Sequence, residues 1–143
     1  MLPLSGEVRS LRPYAENGVP SRAALAAEFD AVAAKAAVAA RDPGERAGFL
    51  ARAAHALSSI VTIRRVSAGG DGPDAVLARA GDAVAQGDLE GGLKILRDLP
   101  PKAAQAVAPW RSKALQRVAV DRQVASIRAL ALSDLMAVSR AQP

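Results

Sequence analysis

Cysteine is absent from this chain of 143 residues, and His55 is its one histidine. The first absence excludes disulfides, thiol chemistry and cysteine-ligated metal, and leaves the redox compartment open. A metal would have to be held by carboxylates, and no carboxylate cluster has ligand spacing, so neither metal nor cofactor is expected. Aromatic residues make up 3% of the chain. No segment is long and apolar enough to span a bilayer. Met1-Leu2-Pro3-Leu4 has neither the basic start nor the apolar run of a signal peptide. No pair of segments alternates like strands. A Gly-x-Ser-x-Gly elbow is missing too, so no enzyme is indicated.

What remains is an aliphatic, basic chain. Half of its residues are hydrophobic, much of that alanine, and alanine-rich, aromatic-poor sequences favour close-packed helices. A core of Ala and Leu is thin, so modest stability is expected unless a partner covers part of the domain. The net charge of +5 and pI near 10.4 favour an anionic partner: nucleic acid, anionic lipid or an acidic protein face.

The pattern predicts an all-α fold, with helical hairpins forming a small bundle and one long C-terminal helix. Residues 1–20 form a partly ordered lead-in, without periodicity up to about Val8. Gly18-Val19-Pro20-Ser21 is a turn with Ser21 as N-cap of a helix to about Ala40, whose buried face is Leu25, Phe29, Val32 and Ala36. A second helix is expected from about Glu45 to Ile63. Residues 67–72 read as a connector between two halves, 21–66 and 71–140. Pro73 suits the first turn of the next helix, which stops at Gly87; Asp88 caps another, which runs to Pro100-Pro101. A short piece then meets Pro109, and the last helix runs from there to about Ser139. Its stripe reads Val107, Trp110, Ala114, Val118, Val124, Ile127, Ala131, Leu135 and Val138.

Few residues suggest chemistry. His55 lies on the polar side of the second helix with no orienting partner in view, and reads as a surface or packing residue. Gly69-Gly70-Asp71-Gly72 lacks the Gly-Lys-Ser/Thr ending of a P-loop and a preceding strand, and reads as a connector. Asp88 serves as a cap, while Asp82 and Glu90 read as solvated. The second helix joins an apolar side, with Phe49, Leu50, Leu57 and Ile60, to Arg46, Arg52, Arg64 and Arg65. That is the make-up of an interfacial helix on anionic lipid, but the pattern by itself favours an amphipathic helix packed on its own domain, as most such helices are. Trp110 is either an interface anchor or a filler where the hairpin meets the long helix.

Taken together, Leu11-Arg12-Pro13-Tyr14-Ala15-Glu16-Asn17-Gly18-Val19-Pro20-Ser21, the tract from Leu57 to Arg65, Gly70 to Ala80, Gly87-Asp88-Leu89 and Ala108-Pro109-Trp110-Arg111 form an ordered series. In that order the chain resembles the C-terminal region of mitofilin in its alphaproteobacterial form, from about Leu11 to Leu135. The resemblance implies a non-enzymatic scaffold that shapes inner or intracytoplasmic membrane from the periplasmic side, anchored by a helix and coiled coil outside this chain. It places the lipid-binding segment at 21–66 and the signature domain at 71–140. The implied partners are anionic phospholipid, further copies in a homo-oligomer, and outer-membrane barrel assembly proteins, with no nucleic acid or small-molecule substrate. On this view Arg46, Phe49, Leu50, Arg52, Leu57, Ile60, Arg64 and Arg65 face lipid. Leu89, Leu93, Leu96 and Trp110 form the protein interface. The family usually carries Ala-Glu where this chain has Ala80-Gly81, and the glycine softens that helix.

Two other readings stay open. The hairpin with Leu96 and Pro100 also resembles half of a tetratricopeptide repeat, which would make the chain a soluble peptide-binding adaptor; no second copy follows at a fixed period. A nucleic-acid binder follows from pI alone, but Arg117, Arg122 and Arg128 are scattered along the last helix rather than gathered into a reading face.

Overall fold

The structure, a computed structural model, describes residues 3–41, 70 and 72–141. Among them there are helices and no strand. The helices are α1 (Pro3–Ser10), α2 (Arg12–Asn17), α3 (Arg22–Arg41), α4 (Pro73–Ala85), α5 (Leu89–Ile95) and α6 (Pro101–Ala141), with a 3-10 turn at Leu96–Asp98. The helix expected over 45–63 lies outside the described residues.

α3 begins as the sequence predicts. The Ser21 hydroxyl accepts a hydrogen bond from the Ala24 N–H at 3.1 Å, which satisfies one of the donors left open by the first turn. Leu25, Phe29 and Ala36 are buried, at helical spacing, and Val32 is half-buried between them.

α4 and α5 form a tight hairpin. Gly72 and Pro73 start α4. At its end the Gly87 N–H donates to the Val84 carbonyl at 3.0 Å, and the Asp88 N–H to the Ala83 carbonyl at 2.9 Å. This is a Schellman closure, which requires the left-handed φ of +83° that Gly87 adopts. Asp88 then caps α5, its Oδ1 accepting from the Gly91 N–H at 2.9 Å. Gly92 faces α4, where a Cβ would lie 2.7 Å from Val84 Cγ2 and 3.3 Å from the Ala80 carbonyl. The absence of a side chain there lets the two helices close. Gly81 makes room elsewhere: a Cβ on it would meet Phe29 Cε1 at 3.3 Å. The glycine that softens α4 therefore seats the Phe29 ring of α3.

α6 departs from expectation at Pro109, where a break was expected. The helix runs through it. Proline withdraws the N–H that would reach the Gln105 carbonyl, but Val107 and Trp110 on either side are both about 1% exposed and hold the helix in the core. α3 packs antiparallel along the first half of α6: Arg22 meets Asp121, Glu28 meets Lys113, and Phe29 meets Trp110. One core results, built from Leu25, Phe29, Val76, Leu77, Ala80, Val84, Leu89, Leu93, Leu96, Leu99, Val107, Trp110 and Val118, with alanines between them. The alanines allow close helix approach, and among the described core residues a large ring is used only at Phe29 and Trp110.

The long stripe read along the last helix is two stripes. Ala103, Val107, Trp110, Ala114 and Val118 are buried. Val124, Ile127 and Ala131 are half-buried, and Leu135 and Val138 are exposed. The step from Val118 to Val124 changes the face of the helix, because six residues are not a whole number of turns. The lead-in is also more regular than expected. α1 packs on α6, and α2 buries no residue; both hang from Gly18, whose φ of +67° turns the chain into α3.

Candidate interaction surfaces

Neither surface assigned from sequence is displayed by the described residues. Arg46, Phe49, Leu50, Arg52, Leu57, Ile60, Arg64 and Arg65, with His55, lie outside them. Leu89, Leu93, Leu96 and Trp110 are 3%, 8%, 2% and 1% exposed, so a partner cannot reach them in this fold. The correction has a plain cause: their helical spacing records burial, and the hairpin spends that face on its own bundle. Trp110 is the clearest case. Its indole N–H donates to the Leu25 carbonyl at 2.9 Å, and its ring meets Phe29 edge-on with centroids 4.8 Å apart. It fills the seam between α3 and α6.

At the turn end of the bundle a polar clamp joins three helices. Arg22 donates through Nε to Asp121 Oδ2 at 2.8 Å and through Nη1 to the Gly87 carbonyl at 2.9 Å. Arg117, one turn before Asp121, also donates to Asp121, its Nε at 2.9 Å. Arg122 holds Glu90 with two parallel hydrogen bonds, at 3.1 and 3.0 Å. The hydrogen bond from Arg117, helped by Arg22, keeps the Asp121 carboxyl below its ordinary range despite partial desolvation. The hydrogen bond from Arg122 does the same for Glu90, and Arg117 and Arg122 are correspondingly raised. Glu90, read as solvated, is thus exposed but paired. Arg41 pairs with Asp74 at the opposite end and ties α3 to the start of α4. These are structural bonds between fixed charges. Sequence reasoning missed the tie from Arg22 to Asp121 because the two are far apart in the chain; the Arg117–Asp121 pair, one turn apart on α6, was legible from helical spacing.

Among the described residues, apolar side chains are exposed at the end of α6 and on α1 and α2, with Leu115 standing apart from both. Beyond Asp121, α6 leaves α3 behind, and Leu132, Leu135, Met136 and Val138 are 56–67% exposed. Ser5, Val8, Arg9, Leu11, Arg12 and Ala15 line a shallow groove on α1 and α2. Among the described residues there is no group of acidic or histidine side chains able to hold a metal, and no helix long and apolar enough to cross a membrane.

A family model described as Mitofilin, a mitochondrial inner membrane protein, matches residues 9–129. No curated protein matches the chain, and no solved structure does. The matched span contains the capped start of α3, the hairpin closed at Gly87 and the Trp110 seam, that is, every residue of the buried core. The chain belongs to the mitofilin family of inner-membrane-associated proteins.

Proposed function

We propose that the chain is a non-enzymatic scaffold module that binds an anionic membrane surface and self-associates or docks protein partners, so that inner or intracytoplasmic membrane is shaped from its periplasmic side. The observation that carries this reading is the family match from residue 9 to residue 129, which takes in the whole packed bundle. Membrane organisation is the role such a family suggests. The basic character of the chain supports an anionic surface as its target.

Lipid contact on this reading falls to the basic amphipathic tract from Arg46 to Arg65, with Arg64 and Arg65 nearest the headgroups. Docking falls to the outer faces of the bundle, since Leu89, Leu93, Leu96 and Trp110 are enclosed. The protein-binding face of the scaffold would take further copies of the chain or barrel assembly proteins of the outer membrane.

Co-sedimentation with liposomes tests the reading. Binding should need anionic lipid, weaken as salt rises, and drop when Arg64 and Arg65 are both changed to Glu. Binding that ignores this double reversal would move the lipid surface elsewhere on the chain. No binding to anionic or neutral liposomes would leave a helical adaptor for a protein partner, without a membrane role.

A further inference from the structure

We infer that the exposed end of α6, residues 132–141, is a second membrane-contact element, lying in the headgroup region of an anionic bilayer with Leu132, Leu135 and Met136 inserted. This rests on the membrane-facing reading above, but assigns the contact to a different part of the chain.

The geometry begins with the core stripe of α6. Steps of three and four residues onward from Trp110, Ala114 and Val118 land on Asp121, Ala125, Arg128, Leu132, Leu135 and Ser139, with Met136 beside them. The side of α6 that faces the core in its first half therefore continues past the end of α3, where its large apolar side chains are exposed among the described residues. Leu132 is 56% exposed, Leu135 67% and Met136 56%. Such a row of large apolar side chains on one helix end calls for an occupant.

Charge selects which one. Arg128 precedes the patch on the same face, and Arg140 borders it. Asp134 is the only acid after Asp121, and the helical period puts it on the opposite side. Basic residues beside the apolar row, with the acid turned away, complement lipid phosphates. A second copy is the poorer fit. A third of the side of a cylinder about 10 Å wide and 15 Å long is roughly 160 Å². A stable protein interface takes about 800 Å² per partner. A bilayer sets no such minimum, because the arginines add their attraction to whatever apolar area is buried.

The absence of cysteine makes the test clean. Leu135→Cys and, on the opposite side of the same helix, Ala137→Cys each place a single thiol for an environment-sensitive fluorophore in the full chain. Vesicles of phosphatidylcholine with phosphatidylglycerol should brighten and blue-shift the label at 135 and leave the label at 137 unchanged. Arg128→Gln and Arg140→Gln, in the 135-labelled chain, should each weaken partition by about fivefold. Vesicle pelleting is followed in parallel. Pelleting without a response at 135, or with equal responses at 135 and 137, overturns this element while the membrane reading stands. No pelleting removes both. A response at 135 that rises with protein concentration in the absence of vesicles overturns the lipid assignment in favour of a second copy.

Discussion

Trp110 draws its importance from what faces it. The ring lies against Phe29 and its N–H reaches a carbonyl of α3, so one side chain both fills volume and fixes the register of two helices. Asp121 works similarly with charge, receiving Arg22 from α3 and Arg117 from its own helix. Its carboxyl is held below the unfolded value of 3.8. Folding then favours the ionised form, so this stabilisation is complete above about pH 5 and is lost as the pH falls through the lowered folded value. Asp121→Asn should lower stability near neutral pH and flatten the acid loss, as urea midpoints taken from about pH 6 down to about pH 2 would show. A variant whose acid profile parallels that of the parent would mean that Asp121 is not a main source of the acid dependence. Glu90 contributes in the same direction, but it is exposed and water screens its pair with Arg122.

At the scale of elements, the α4–α5 hairpin is held by the absence of side chains as much as by their presence. Gly92→Ala puts a Cβ 2.7 Å from Val84 Cγ2. Overpacking of this kind costs about 1–3 kcal/mol, and the better helix propensity of alanine returns up to about 1 kcal/mol. A net loss of about 1 kcal/mol is expected in urea unfolding. Combining it with Val84→Ala, which removes the clashing methyl, should cost less than the sum of the two single changes. Strict additivity would show that the crossing tolerates a Cβ there. The sequence announced the hairpin at this scale: Gly87 and Asp88 are a stop and a start with local causes. It announced α6 less well. Pro109 looks like a break from the chain alone, and only flanking contacts from Val107 and Trp110 carry the helix through.

At the scale of the molecule, buried residues among those described are confined to α3, α4, α5, the turn to Leu99 and α6 up to Val118. Residues 132–141 are exposed throughout. Deleting everything after Ala131 should therefore change folding stability by no more than about 0.5 kcal/mol, while membrane partition falls. A large loss of stability would mean that the end of α6 is packed in solution. The described residues then divide into a bundle that provides rigidity and extensions, the end of α6 and α1–α2, that carry most of their exposed large apolar side chains.

What the sequence determined by itself was local or periodic. Composition and helical spacing dictate an all-α chain, the cap at Ser21, the stop at Gly87 and the buried faces of α3 and α4, because each depends on neighbours within a few residues. The ordered motifs from Leu11 onward carried the family resemblance, and residues 9–129 match it. What only the tertiary structure decided was which apolar face meets what. Leu89, Leu93, Leu96 and Trp110 have the spacing of an interface and the spacing of a core, and periodicity cannot separate the two. Leu132 and Leu135 look as buried as Val107 until the length of α3 is known. α3 reaches only as far as Asp121, and past that point the same kind of residue becomes a surface.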